Sequence, residues 1–388
     1  MGDESPSSGR GENERAGCFV VRDKKMLRYR TILFLSLLVF CAAGRCAGAE
    51  GETKGLVSPE LLKAGNLERL WEYKLPLKPE EILEQLFILD NCIYGLTDRN
   101  FMVSLNREKG NVIFSKSVTE IGLPVVGLGV YDDELFSIIG NRLVEMSSEY
   151  GTERSSKRLA FAAVCPAIRN SSYFYIAGAD RRIHTLRSED KVQVFEVAAQ
   201  DDSVISAVVA DEDFVVFATD TGRCISFAPD RAMRLWQFDA AAGIVGPIVR
   251  DAESLFFASK DTNVYRINVL NGKFVWKYQT AAVLDEAPRV TEAVVYQRVR
   301  DQGLSAIRKD SGQLLWELPG SADLLAEAAG KAYVITKAGL LIVMDNKKAK
   351  QLYSVNFAGV SKYTTNVLDS KIYIADRSGR IVCLKPIE

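Results

Sequence analysis

A single histidine, His184, is all that the 388 residues contain. One imidazole cannot build a multi-histidine metal centre, and as a general base it needs an orienting partner that the sequence does not reveal. Adjacent cysteines and C-x-x-C spacings are both absent. Charge of one sign is lacking too, with 49 Lys and Arg against 50 Asp and Glu and a formal net charge of −1. No basic stripe with interleaved aromatics occurs, which removes nucleic acid as a partner. No apolar run reaches the roughly 20 residues that a membrane-spanning helix needs. Sustained 3.6-residue periodicity is missing as well, which argues against a helical domain.

What the chain does have is a repeat, clearest in 251–280, DAESLFFASKDTNVYRINVLNGKFVWKYQT. Three runs, SLFFAS, NVYRINV and KFVWKYQ, alternate apolar and polar residues, and turn formers separate them. That pattern reads as an antiparallel meander. Asn271-Gly272 between two such runs signals a hairpin whose two central residues both take positive φ. Aligning the chain on Trp276 puts Trp71, Phe114, Ser155, Phe195, Trp236, Trp316 and Tyr353 at the same position of successive units, spaced 37 to 43 residues apart. All four tryptophans of the sequence fall on this landmark. Gly110, Gly151, Gly272 and Gly312 each precede their landmark by four residues, where a tight turn asks for positive φ. A period near forty built from four short strands means propeller blades.

The eight landmarks give an all-β, eight-bladed propeller of four-stranded antiparallel blades. Its ends complete each other. The segment 364–386 supplies three strands and then stops, while the Trp71 strand has no three strands before it. Pairing the two closes the ring and removes an open sheet edge. Units begin with short strands beside Pro124, Pro166, Pro247 and Pro288, as expected for crowded innermost strands, with each proline at a first or unpaired position. The recurrence of the aromatics around the ring marks them as wedges between a blade and the next, because a ligand platform would break the symmetry.

The expected organisation is an extension without a fold at 1–25, a secretory signal at 26–49, a linker at 50–66 and the propeller at 67–388. The signal rests on KKMLRYR, the apolar run TILFLSLLVFCAA (31–43) and the A-x-A sequence Ala47-Gly48-Ala49. Met26 is the natural start of such a leader. A helix start is expected at Ser58-Pro59, from the N-cap serine and the proline that follows. Cys41 follows Phe40 and Cys46 follows Arg45, both unlike a lipobox, although Leu38 suits one; lipidation of either cysteine stays open at this level.

The endings NVLNGKFVW, RKDSGQLLW and APDRAMRLW resemble PQQ-type propeller repeats. Eight such units behind a leader are similar to the family of outer-membrane assembly lipoproteins typified by BamB. The resemblance covers about 67–388, and Ser155 and Phe195 depart from its tryptophan. It implies an exported, non-catalytic scaffold at the periplasmic face of the outer membrane, with a protein partner such as the periplasmic domains of the barrel assembly factor, peripheral membrane association and no cofactor. It matches no binding residue position by position.

Quinoprotein dehydrogenases share the blades, so the alternative reading is a PQQ-dependent enzyme; an exported propeller for another protein or a glycan is a third. Such dehydrogenases need a tryptophan beneath the quinone, a Ca²⁺ site, a catalytic Asp and a vicinal cysteine pair. With every Trp assigned to packing and no vicinal pair, no catalytic, cofactor or metal residue is assigned. Cys92, Cys165, Cys224 and Cys383 are expected as buried free thiols, although an exported protein leaves a disulfide among them conceivable. Asp132-Asp133-Glu134, Asp201-Asp202 and Asp211-Glu212-Asp213 lack the Ca²⁺-loop spacing and are expected in solvated turns.

Overall fold

The computed structural model describes residues 55–387. The expected extension, the leader, Cys41 and Cys46 lie outside these residues. Thirty-two strands form eight four-stranded antiparallel sheets. Seven are sequential meanders, spanning 83–117, 125–158, 168–198, 205–239, 244–279, 289–319 and 321–356, numbered here as blades 1 to 7. Blade 8 takes three strands from 362–386 and its outermost from Leu67–Lys74. That strand pairs antiparallel with Arg380–Pro386, Trp71 facing Cys383. The ring is closed as the sequence implied.

The core is divided among the seams. Eight clusters of buried side chains occur, one at each junction between neighbouring blades. Middle strands are therefore covered on both faces. Ser254–Ser259, which alternates in sequence, is buried at all six positions. Its two serines, five residues apart and so on opposite faces, both sit inside because a neighbouring blade lies against each face.

The outer strand carries a device that the sequence did not announce. In every blade its register with the third strand slips just before the landmark. In blade 5, Trp276 pairs with Arg266 and Phe274 with Ile267, leaving Val275 as a bulge. Leu235 is the matching bulge residue in blade 4. A β-bulge bends and twists a strand and breaks the regular row of ladder groups. Here it accompanies each landmark and blunts each free edge.

Two sequence expectations change in detail. Of Asn271-Gly272 only the glycine has positive φ, +68°. The connection is a wider turn, closed by Gly272 N donating to Asn268 O (2.9 Å) and Asn268 N to Lys273 O (2.8 Å). The Asn268 side chain accepts from the amides of Leu270 and Asn271, which fixes that wider turn. Innermost strands are short only in part. Ile168–Arg169 and Arg289–Val290 have two residues each, but Ile244–Asp251 and Ser321–Ala328 have eight. Register slips lengthen the latter two, and Pro247 falls inside one of them, between Val245 and Val249. Pro124, Pro166 and Pro288 precede their strands.

The stretch expected as a linker is docked from Gly55 onward. Ser58 caps the helix Pro59–Ala64, accepting from the Leu61 amide at 3.4 Å. Val57 and Leu62 are buried in the cluster between blades 7 and 8.

Candidate interaction surface

The landmark aromatics lie at the seams, and each glycine is the seat of the previous blade's ring. A Cβ on Gly110 would come within 2.5 Å of the Trp71 ring, on Gly151 within 2.6 Å of Phe114, on Gly272 within 2.5 Å of Trp236 and on Gly312 within 2.8 Å of Trp276. These contacts are closer than real atoms allow. The four glycines also share positive φ, between 64° and 73°. The indole N–H groups cross the same seams: Trp71 donates to Arg107 O (3.0 Å), Trp236 to Val269 O (2.8 Å) and Trp276 to Lys309 O (2.9 Å). Trp316 donates instead to the Asn346 side chain, at 2.8 Å. The remaining two aromatics are half-buried. Phe195 meets Phe227 of blade 4 edge-on, and the Tyr353 hydroxyl donates to Gly65 O beyond the helix.

A second aromatic column lies on the second strands of blades 1, 3, 6 and 7. Tyr94, Tyr175, Tyr296 and Tyr333 each stand twenty residues before a landmark, and all are fully buried. Tyr296 packs on Trp316 with ring centroids 5.9 Å apart, and Tyr373 packs on Trp71 at 6.1 Å. Their common spacing was visible and was the signal that could have found them.

The seam between blades 2 and 3 is built differently. Ser155 replaces the aromatic, and Lys191 occupies the seat with φ 58°. The Lys191 side chain runs into the seam, its ammonium 2.6 Å from Glu145 Oε2. Glu145, 3 % exposed, also holds Arg169 at 3.1 Å, and Arg169 reaches Glu134 at 2.7 Å. Arg169 lies over the rings of Tyr131 and Phe174. Burial would raise the Glu134 carboxyl, but Arg169 and Arg154 outweigh it and hold it below the usual range.

His184 is a packed strand residue in blade 3. Its Nε2 lies 2.9 Å from Asp180 Oδ2, and its ring stacks on Phe161 at 3.6 Å. The four cysteines among the described residues are free, but only Cys224 and Cys383 are fully buried; Cys92 and Cys165 are partly exposed. Burial pushes the Cys165 thiol up to about 11 and Cys383 up to about 12, so both stay protonated at neutral pH. Asp132-Asp133 and Asp211-Glu212-Asp213 fall in turns between inner and second strands, and Asp201-Asp202 in the connection between blades 3 and 4. Among the described residues no group of three or more His, Cys, Asp or Glu could hold a metal ion.

Antiparallel strand order puts turns from inner to second strand, and from third to outer strand, on one face, called here the lower face. Linked depressions mark it. A cavity of about 560 Å³ lies between blades 1 and 2, lined by Leu89, Cys92, Val130 and Leu368 among others. One of about 630 Å³ lies between blades 6 and 7 and shares Glu292 and Glu327 with a third, of about 280 Å³. A fourth, of about 520 Å³, adjoins Ser370. The loop 365–371 of blade 8 stands among them. Asn366, 1 % exposed, donates to Asp369 O (2.8 Å) and Lys371 O (2.7 Å) and accepts from the Leu368 amide (3.0 Å). Asn366 N also donates to Leu325 O, tying the loop to blade 7. Burial would raise the Asp369 carboxyl, but hydrogen bonds from Asn366 and the Lys371 amide, with the Lys371 charge, hold it below its ordinary value. The loop so fixed displays Val367 at 48 % and Leu368 at 60 % exposure.

Fold and surface together define a closed eight-bladed ring of PQQ-type repeats. A family profile described as "Outer membrane protein assembly factor BamB" matches residues 140–282 and 234–387, and the chain belongs to that family. Among solved structures, BamB from Moraxella catarrhalis is similar at a TM-score of 0.65 and 14% identity, covering 82% of this chain and 97% of that one. The computationally designed Ika8 protein is similar at 0.62 and 13% identity, over 81% of this chain and 99% of its own. The C-terminal WD40 domain of Sif2 follows at 0.59 and 11%, over 82% of this chain and 98% of its own. At these identities the structural likenesses establish the fold alone. No curated protein sequence matches the chain.

Proposed function

We propose that the protein is a non-catalytic, exported scaffold that acts at the periplasmic face of the outer membrane in the assembly of β-barrel proteins. It works by holding a protein partner, in the first instance the periplasmic domains of the barrel assembly factor. Family membership supports the role, and the lower face supports the mode. Its carrying observation is the Asn366-fixed loop, which offers Val367 and Leu368 to solvent between linked cavities. An apolar anchor on a rigid support, ringed by depressions, loses little entropy when a partner docks. Export follows from the leader-like sequence before Glu50. Among the described residues no helix is long and apolar enough to cross a membrane.

Co-purification from detergent-solubilised envelopes tests this. The native protein is expected to bring down a barrel-assembly component, and Leu368→Asp to recover at least tenfold less of it. Repeated recovery without any such component would overturn the proposal. Equal recovery with the variant would remove the lower face from it.

A further inference from the structure

We infer that the centre of the lower face takes an extended, cationic segment of a partner polypeptide, with an apolar side chain seated against Leu368. This rests on reading the protein as a polypeptide-binding scaffold and adds the chemistry of what is bound.

On this face the charge is distributed by radius. Turns between inner and second strands surround the mouth of the ring on this face. They expose Asp90, Asp132, Asp133, Asp213, Glu253 and Glu292. None of these six carboxylates has an ion-pair partner among the described residues. The single Lys or Arg on those turns, Lys371, is already 3.3 Å from Asp369. Turns farther out, between third and outer strands, are mixed in sign and carry Lys109, Lys347 and Lys348. Negative charge is therefore in excess at the cavity between blades 1 and 2, where Asp90, Asp132 and Asp133 face Arg107 alone and Arg107 already lies 3.7 Å from Asp369, whereas the cavity between blades 6 and 7 is mixed in sign, with Arg266, Arg308, Lys309 and Lys347 beside Glu292, Asp310 and Glu327.

Asp90, Asp132 and Asp133 border the same cavity as Leu89, Val130 and Leu368. An aliphatic stem ending in a positive charge suits such a wall, since the stem covers apolar surface while the head meets carboxylates. The depressions continue past the loop toward Glu292, so a second cation several residues along an extended chain meets a second free carboxylate. Anionic lipid surfaces and nucleic acids are repelled by the same field.

The test uses the mature protein and a fluorescein-labelled dodecapeptide of alternating Leu and Lys, followed by anisotropy. Lys→Glu and Leu→Ser versions of the peptide serve as controls. Binding of the Leu-Lys peptide is expected, weakening at least tenfold when salt rises from about 50 mM to about 500 mM, because screening shortens the reach of exposed charges. Leu368→Asp is expected to weaken it tenfold or more. Asp90→Asn/Asp132→Asn/Asp133→Asn is expected to flatten the salt dependence, with circular dichroism confirming that both variants fold. Binding that ignores both variants, equal binding of the Leu-Glu peptide, or no binding at all overturns the inference. Peptide binding without recovery of any barrel-assembly component would instead count against the role proposed above and leave this chemistry standing.

Discussion

Trp276→Ala is expected to destabilise the ring by about 3–5 kcal/mol, the range for removing a buried aromatic. The indole is 7 % exposed, packs against Phe256 at 6.0 Å and covers the Gly312 turn of the next blade. Its loss opens a void on two blades at once, because seat and wedge belong to different sheets. It also removes one of the two 2.9 Å donors to the Lys309 carbonyl, leaving Arg266 Nη1 as the other. Trp276→Phe separates the contributions. Phe114 already serves as a wedge in blade 1, so a phenyl ring fits the seat, and the remaining loss is the hydrogen bond, about 1 kcal/mol, plus a small void. Thermal unfolding ranks the variants. Hydrogen exchange should place the extra opening in blades 5 and 6. A Trp276→Ala protein as stable as the parent would remove the indole from the account of how blades cohere.

Lys191→Ala is expected to be nearly as damaging, for the opposite physical reason. Where four other seams hold an aromatic on a glycine seat, this one holds the Lys191 ammonium against a buried carboxylate. Removing one member of a buried pair leaves the other uncompensated, which typically costs 3–5 kcal/mol. Arg169 still reaches Glu145 at 3.1 Å, so the lower end of that range, about 3 kcal/mol, is expected. The pairing of substitutions gives a sharper test. Ser155→Trp alone drives an indole into the Lys191 side chain and destabilises. Combined with Lys191→Gly it recreates the wedge and seat of the other seams. A double-mutant cycle should then show favourable coupling of about 1–3 kcal/mol. Acid should weaken this seam in the parent. The Glu134 carboxyl is held below its unfolded value, so its contribution is present above that value and fades as pH falls through the folded one. Faster exchange in 142–158 and 168–187 below about pH 4 is the expected sign. Additive single effects, or exchange in these strands that acid leaves unchanged, would contradict this reading of the seam.

Much of this was legible because the repeat is written in large side chains. Tryptophan is rare enough that four on one register could hardly be accidental, and glycine four residues earlier shared that register. The ring closure was equally readable, since one strand at the beginning and three at the end make a single blade. The reason for the glycines was only half visible. Positive φ explains Gly272, but Lys191 and Ala349 adopt it too, at 58° and 51°. What sets Gly272 apart is that Trp236 lies on it, a contact about forty residues away that no local pattern encodes. The outer-strand bulges escaped for a related reason. Period-two alternation describes one strand, whereas a bulge is a mismatch between two, and Val275 reads as an ordinary strand residue. The lower-face loop was hidden altogether. Asn366 resembles any turn asparagine until its hydrogen bonds and burial are seen, and Leu368 resembles a strand residue until it is found exposed.

The claim that this ring holds a protein partner on its lower face is tested most directly by site-specific photo-crosslinking in living cells. A photoreactive residue at position 368 is compared with one at Asn141, an exposed position on the opposite face. The account predicts a crosslink from 368 to the periplasmic domains of the barrel assembly factor, and little or none from 141. Crosslinks confined to 141, or from 368 only to proteins unconnected with barrel assembly, would contradict it.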